Sequence, residues 1–563
     1  MSHHAREHKT MESAMKKMKK LKNGRMTRRE FGTLAGALGV AGLCGSLGLG
    51  HAATPTPTPV PAPNPTKAPT QTTISITVNS DILTMDPHMS TLRESQMAYF
   101  CIFETLMTRD LATMKMKPGL ATAWKATSPT TWEVDLKKGV KFHNGEDFKA
   151  STLKFNIERI LNPDQKSPLR GQYIPIQKAE VLDDYKVRIT TGKPWPVFEE
   201  RMAMMWLLPE KFVKEKGDQF LVENAVGTGP YKYVKWTRGS DVTMERWEQY
   251  AGEKPAFKTA IVRIIPEITT AVAELLAGRV DIVRGVSLDQ MEAVNKSGIA
   301  RALTIPTLAV SWTHMDPQGR ANPGNPFMDK RVRQAANYAC NIDGYIKALQ
   351  AGGERCPGGL NPLHFGFDKT IKPYPYDVAK AKQLLADAGW RAGADGVLVK
   401  DGKRFEVEFQ TNQSRMSNRK QINEAIAQDL TKVGVKTKIV HIEDVPPYIA
   451  KLNNNRITPL FQWDWGSYNV FDADAIYWDM FHSGQGFCYY TTPELDKWLE
   501  DARSTVDPQK RLELYSKAQN HLNEEAPAIW MWAVHAVKGV STNIDWTPCP
   551  DDLDRLILAK PKA

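Results

Sequence analysis

The residue types best suited to chemistry are concentrated in one stretch, residues 461–484 (FQWDWGSYNVFDADAIYWDMFHSG). Aromatic rings are interspersed there with carboxylates, namely Trp463, Trp465, Tyr468, Tyr477 and Trp478 among Asp464, Asp472, Asp474 and Asp479. Large rings with a polar edge stack on flat groups, and carboxylates among them hold a cation or a hydrogen-bonded solute. The stretch therefore predicts a recognition surface. A buried aromatic core shared by a strand and a helix accounts equally well for any single Trp.

The same carboxylates raise the alternative of a secreted hydrolase that uses Asp472 or Asp479. No paired acid and base, and no nucleophile beside a base, accompanies them in the sequence. Phosphate-binding loops, GxGxxG, GxSxG and HExxH motifs do not occur, and the twelve histidines are scattered. We therefore expect a protein that is not an enzyme and that has no metal site and no cofactor.

Length and charge bound the remaining classes. At 563 residues the chain exceeds what one hydrophobic core usually serves, so we expect two or three lobes. The net charge of +11 invites a nucleic-acid interpretation. However, ten of the 74 basic residues and only three of the 63 acidic residues fall within residues 1–53, which leaves the rest nearly neutral. The sequence therefore predicts no nucleic-acid partner.

The N-terminal segment predicts export. Residues 1–53 contain TRREF (27–31), a Gly/Ala/Leu-rich run and small residues Ala52 and Ala53, which together are typical of a twin-arginine export signal. Residues 54–73 are a Pro/Thr-rich linker that favours extended polyproline geometry and holds the body off a surface. We expect a periplasmic or cell-surface protein, with tethering through the N-terminal segment and lipidation at Cys44 left open.

Beyond residue 73 the pattern alternates strands with amphipathic helices, which predicts an α/β architecture. Strands are expected at residues 74–78, 131–136, 187–190, 241–247 and 405–411. Helix starts are marked by capping residues at Asp329, Asp377, Thr492 and Asp507, two of them directly before a proline. Lys330, Arg331 and Arg333 are expected to face solvent.

Five segments in order resemble the family 5 extracellular solute-binding proteins. These are LKKGVKFHNGEDFKASTLKFNIERIL (136–161), VGTGPYKYVKW (226–236), NPFMDKRVRQAANYACNID (325–343), YPYDVAKAKQLLADAGW (374–390) and FHSG (481–484). The resemblance covers about residues 74–555. The family comprises the oligopeptide-, dipeptide- and nickel-binding components of ATP-driven importers.

The resemblance implies a two-lobe periplasmic-binding-protein fold of class II type, with an extra subdomain in the first lobe. On this chain, lobe I is expected at residues 74–310, with the insert at about 117–225. Lobe II is expected at residues 311–525, and residues 526–563 return to lobe I. The strands that cross between lobes are expected near 308–315 and 526–535.

The implied function is that of a monomeric importer subunit that captures a small polar, oligopeptide-like solute between its lobes and delivers it to an ABC permease and ATPase. The ligand-binding candidates are Trp312, Trp463, Asp464, Trp465, Asn469 and Asp472. In peptide-binding relatives an aspartate holds the α-ammonium group of the ligand, and Asn469 takes that position here. Since Asn carries no charge, Asp464 or Asp472 would have to substitute.

Three alternatives stay open at this point. A member of the same family could bind a glycoside, an oligosaccharide or a metal chelate. From other classes, a secreted hydrolase and a surface-tethered sensor remain.

Overall fold

The computed structural model describes residues 72–110, 115–349, 353–412, 418–442, 445–452, 454, 458–466 and 470–562. In chain order the strands are β1 Thr73–Val78, β2 Met107–Arg109, β3 Met116–Pro118, β4 Ala121–Ser128, β5 Thr131–Leu136, β6 Ile176–Asp183, β7 Lys186–Thr191, β8 Tyr231–Thr237, β9 Asp241–Arg246, β10 Thr259–Ile264, β11 Ile282–Arg284, β12 Ala300–Met315, β13 Arg391–Ala392, β14 Leu398–Lys400, β15 Lys403–Arg404, β16 Glu406–Asn412, β17 Lys436–Ile442, β18 Leu460–Trp465, β19 Ala528–Ser541, β20 Ile544–Asp545 and β21 Lys560–Pro561.

The α-helices are α1 Arg93–Ile102, α2 Ala150–Leu161, α3 Arg170–Tyr173, α4 Phe198–Met202, α5 Glu210–Lys216, α6 Asp218–Leu221, α7 Ile268–Leu276, α8 Leu288–Lys296, α9 Lys330–Ala339, α10 Ile342–Leu349, α11 Val378–Asp387, α12 Arg419–Lys432, α13 Val445–Leu452, α14 Asp474–Phe481, α15 Pro493–Ser504 and α16 Pro508–Glu525. All five strands expected from the sequence are present, and β5 has the predicted bounds.

Two long strands, β12 and β19, form the middle of a ten-stranded sheet. They pair antiparallel, with a register shift between Pro306 and Val310. The sheet order is β17-β16-β18-β12-β19-β11-β1-β10-β9-β8. The strands of this sheet that precede β12 in sequence therefore lie on one side of the pair, and β16 to β18 lie on the other. Of the strands described, only these two therefore join the two halves of the sheet. The lobe boundaries drawn from the sequence stay predictions.

A separate sheet of four antiparallel strands, in the order β4-β5-β7-β6, packs with helices α2 and α4 around its own hydrophobic cluster. Its strands lie within residues 121–191, inside the range expected for the inserted subdomain. We use the name inserted unit for this four-stranded sheet together with strand β2 and helices α2, α3 and α4.

The predicted helix starts at four positions are confirmed, because the side chains of Asp329, Asp377, Thr492 and Asp507 each accept a hydrogen bond from a backbone N–H of the first turn. The expectation that Arg333 faces solvent is wrong. Its side chain is buried and donates to the carbonyl oxygens of Phe327, Met328 and Glu525. A guanidinium with five donors can satisfy several backbone acceptors at once, and helical periodicity does not reveal those acceptors.

The cysteines that the structure describes, Cys101, Cys340, Cys356, Cys488 and Cys549, are all free and buried. Burial raises the pKa of the Cys101 thiol to about 12, so little of the reactive thiolate forms at neutral pH. Cys44 lies outside the described residues.

The glycines of the 226–236 segment are required by close packing. The Gly227 and Gly229 backbone lies against the end of helix α1, and the Gly229 N–H donates to the carbonyl oxygen of Ile102 at 2.9 Å. A Cβ on Gly227 would overlap that same oxygen. Neither glycine has a positive φ, so the absence of a side chain matters here more than unusual backbone angles.

We expect Gly227→Ala to lower the free energy of unfolding by about 2–3 kcal/mol, because the new methyl group must displace backbone atoms rather than a flexible side chain. Urea unfolding of the two proteins measures the change. Gly171→Ala is the matched control, since a Cβ there would meet no atom within 4 Å. Equal destabilisation by both substitutions would disprove the packing explanation.

Candidate functional site

The aromatic and acidic stretch forms strand β18, which lies between β12 and β16 in the large sheet. Side chains alternate between the two faces of a strand, so Gln462 and Asp464 lie on one face and Trp463 and Trp465 on the other. Helix α12 covers the first face, where Leu460 packs in the same cluster as Ile422 and Ile426. The parallel strands β16 and β18 lie side by side, so their carboxyl ends are at the same end of the sheet. Open α/β sheets generally bind ligands at the carboxyl ends of their strands.

Two of the three tryptophan candidates are part of the core. Trp312 is 1% exposed, packs against Trp530 and Phe481, and donates its indole N–H to His314. Trp465 donates its indole N–H to the carbonyl oxygen of Ala475 at 3.0 Å. In this conformation both polar edges are used inside the protein, so a ligand contact by either ring stays a prediction.

Trp463 differs from the other two. Its side chain is only partly buried, and its ring lies 6.1 Å from that of Tyr448 on helix α13, measured between centroids. Among the three tryptophans, Trp463 therefore retains the most surface for stacking on a solute.

The carboxylate of Asp464 forms a buried ion pair with Arg419, the first residue of helix α12. The two side chains are 5% and 3% exposed. A carboxylate paired in this way carries little uncompensated charge, so it is a weak substitute for the aspartate that holds an α-ammonium group. Asn469, the other candidate for that role, lies outside the described residues.

The carboxylate of Asp472 is engaged on both oxygens. Arg511 of helix α16 donates to them at 2.8 and 2.9 Å, and the backbone N–H of Asp474 donates to one of them at 2.9 Å. This two-pronged pair fixes the chain just before helix α14. The ligand role predicted for Asp472 therefore has no support in these contacts and stays a prediction.

Sequence reasoning missed a row of neutral polar groups beside the Arg419–Asp464 pair. Gln462 and Asn423 are fully buried and donate to Ser311 and Thr411 at 3.3 and 2.6 Å. Their amide oxygens, and the hydroxyl of the buried Tyr448, have no hydrogen-bond partner among the described residues. A buried polar atom left without a partner costs about 1–3 kcal/mol. Tyr448 packs with Phe461 and Trp463, on the opposite face of β18 from Gln462. The only signal in the sequence that could have indicated these polar groups was the transition from strand β16 to helix α12.

Titratable groups also gather on the other face, around helix α14. Burial raises the pKa of Asp479 to about 6, and the neighbouring Asp474 adds to the rise while Arg503 and Arg201 oppose it. Burial likewise raises the pKa of Asp474, which pairs with Arg503 at 2.8 Å. In the described ranges, no group of three or more His, Cys, Asp or Glu side chains is placed to hold a metal ion.

Comparison with known proteins gives a consistent result. A family model described as "Bacterial extracellular solute-binding proteins, family 5 Middle" matches residues 115–487. The chain is 26% identical over 428 residues to the oligopeptide-binding protein AppA of Bacillus subtilis, a match that covers 71% of this chain and 75% of that protein. It is 27% identical over 475 residues to the glutathione-binding protein GsiB of Pectobacterium atrosepticum, a match that covers 81% and 87% of the two chains.

Among solved structures, NikA of Brucella suis in complex with Fe(III)-EDTA matches with a TM-score of 0.78 at 24% identity and covers 87% of this chain and 100% of that one. The fold is therefore the two-lobe fold of periplasmic binding proteins, as the sequence predicted.

The raised pKa of Asp479 makes stability depend on pH in a defined direction. Above pH 6 the folded protein holds a buried, ionised carboxylate that the unfolded chain exposes to water. As pH falls from 6 to 4, the folded state takes up a proton before the unfolded state does, so this group's contribution to stability rises.

We compare the free energy of unfolding at pH 7.5 with that at pH 4. We expect this difference to be roughly 1–3 kcal/mol more favourable to the folded state in Asp479→Asn than in the unsubstituted protein, because the substitution removes the carboxylate that is ionised at pH 7.5. Urea unfolding at the two pH values measures this difference. Asp501→Asn, at a more exposed carboxylate of helix α15, is the matched control. An Asp479→Asn effect of the same size at both pH values would refute the assignment.

Proposed function

The chain belongs to the bacterial extracellular solute-binding proteins of family 5, and we propose that it captures an oligopeptide-like solute between two lobes for an ABC importer. The role as the substrate-binding component of an importer follows from the family and from relatives such as the oligopeptide-binding protein AppA and the glutathione-binding protein GsiB. These relatives are binding proteins, and we expect this chain to bind its solute without transforming it.

Members of this family act outside the cell membrane, and the N-terminal sequence suits that location. Residues 1–53 carry the features of a twin-arginine signal, and the Pro/Thr-rich residues 54–73 would serve as a spacer between an anchor and the folded body. Within the part of the chain that the structure describes, no helix combines the length and the apolarity that a membrane crossing needs. The expected partners are an ABC permease and an ATPase, and the binding component is expected to act as a monomer.

The observation that carries the choice of solute is the pair of buried acceptors on one face of β18, on Gln462 of the strand and Asn423 of helix α12. The amide oxygens of Gln462 and Asn423 lack a partner among the described residues, and a peptide backbone supplies N–H donors at regular intervals. Both side chains are 0% exposed, so these donors would reach them in a more open conformation than this one. Trp463, on the opposite face of β18, keeps a partly exposed ring for a side chain of the solute. Trp312, Trp465 and Asp472 would then support the site without touching the solute, because they fix the position of strand β18 and of the segment that follows it.

The charge of the site indicates which peptides fit. Because Arg419 neutralises Asp464, the described part of the site offers no free carboxylate to a terminal ammonium group. Asn469 adds a hydrogen bond without a charge. We therefore expect hydrogen bonds along the peptide backbone to contribute more to affinity than an ion pair at the amino terminus.

A thermal-shift screen tests the proposal. The probes are glutathione, unmodified and N-acetylated tri- to pentapeptides, a maltooligosaccharide series and Fe(III)-EDTA. A solute that binds only the folded protein raises the melting temperature by mass action. We expect shifts with peptides, and acetylation of the amino terminus to change the dissociation constant less than threefold.

Gln462→Met then tests the site, since it keeps the side-chain length and removes the hydrogen bonds. We expect the peptide dissociation constant to rise about tenfold, equivalent to the loss of about 1.4 kcal/mol, as for one hydrogen bond. Gln509→Met, on the exposed start of helix α16, should leave binding unchanged. Shifts produced only by oligosaccharides or by the chelate would overturn the peptide assignment.

A further inference from the structure

The segment that follows strand β18 packs into the core of the inserted unit. Val470 and Ala475 are 0% and 6% exposed and belong to the hydrophobic cluster formed mainly by strands β4 to β7 and helices α2 and α4. These two residues follow the inserted unit in sequence by more than 250 positions. The contact therefore joins two parts of the chain that are expected, from the sequence, to belong to lobe I and lobe II.

A first charged group surrounds Phe471 at this contact. Arg109 of β2 and Glu200 of α4 form an ion pair whose side chains are 8% and 17% exposed. The Arg109 guanidinium lies over the Phe471 ring, 4.2 Å from its centroid, and the Phe471 N–H donates to Glu200 at 3.4 Å. The Arg109–Glu200 pair of the inserted unit thus contacts both the ring and the backbone N–H of Phe471.

A second charged group lies one helical turn further on. Arg201 of α4 is close enough to Asp474, Asp479 and Arg503 to interact with their charges. Arg503 pairs with Asp474 at 2.8 Å and lies 3.9 Å from the centroid of the Trp478 ring. Arg201 itself donates to Gln172 within the inserted unit, at 2.8 Å.

The charges of this contact balance. With the Asp472–Arg511 pair behind Phe471, it gathers four carboxylates and four guanidinium groups, namely Glu200, Asp472, Asp474 and Asp479 with Arg109, Arg201, Arg503 and Arg511. Loss of hydration on burial raises the pKa of both Glu200 and Asp474. The gain from pairing in such a contact is largely offset by the loss of water, so its net free energy is small.

We propose that this contact is a clasp, in which Arg109 and Glu200 of the inserted unit hold Phe471 and the segment before helix α14 in the closed form of the protein. The inference rests on the proposed two-lobe closure. The clasp makes Arg109 and Glu200 positioning residues for solute capture, because Phe471, which they contact, follows the last residue of β18 by six positions in sequence. Because the pairs contribute little net free energy, the contact forms in the solute-free protein but can open, and a solute bound between the lobes shifts the balance further toward the closed form.

The test uses the full chain without any solute, so its result does not depend on the screen described above. Hydrogen exchange followed by mass spectrometry compares Arg109→Met, Glu200→Gln and the double variant with the unsubstituted protein. Lys141→Met is the matched control, because Lys141 and Asp147 form an exposed ion pair on the same inserted unit. Exchange in strand β1 reports whether the rest of the fold is intact.

We expect Arg109→Met to speed exchange at least tenfold in residues 470–481 and 196–206, with β1 and the control unchanged, and small-angle scattering to give a larger radius of gyration. The double variant should exchange more slowly than Arg109→Met alone, because it leaves no unpaired buried charge. Unchanged exchange at the contact, or loss of protection in β1 as well, would show that these residues form no separable clasp. If no peptide raises the melting temperature while the clasp variants behave as expected, only the assignment of the solute is wrong.

Discussion

The antiparallel pairing of β12 with β19 is the constraint on which the rest of the structure depends. Each strand is long enough to serve both halves of the sheet, with 16 and 14 residues respectively. Their ladder breaks between Pro306 and Val310, where the Thr307 hydroxyl donates to the carbonyl oxygen of Val534 at 2.6 Å. Asn361 donates to the carbonyl oxygen of Thr307 at the same place. A break that retains its polar contacts allows two strands to bend without exposing unpaired backbone, which suits a connection between lobes.

The sequence predicts a single recognition surface along β18, whereas in the structure its two faces have different surroundings. One face ends in neutral acceptors beside a neutralised ion pair, and the other packs tryptophans into the core that supports helix α14. In the proposed function, the first face supplies hydrogen-bond acceptors to the solute. The second face packs Trp312 and Trp465 into the core and keeps Trp463 partly exposed.

Local features of the structure could be predicted from the sequence, and features that join distant segments could not. Strand β5 and the capping residue Asp377 were predictable because their signals lie within a few residues. The order of five motifs was enough to identify the family. Gln462 and Asn423, in contrast, gain their importance from a pairing of β16 and β18 that no local pattern encodes. Arg333 was placed at the surface by helical periodicity, yet acceptors contributed in part by helix α16 bury it.

The five described cysteines are buried free thiols. The fold around them is held by packing and hydrogen bonds rather than by a covalent link among these five. Thiol reagents would reach these sulfurs only when the surrounding structure opens, which makes the native cysteines internal reporters of how often it does so.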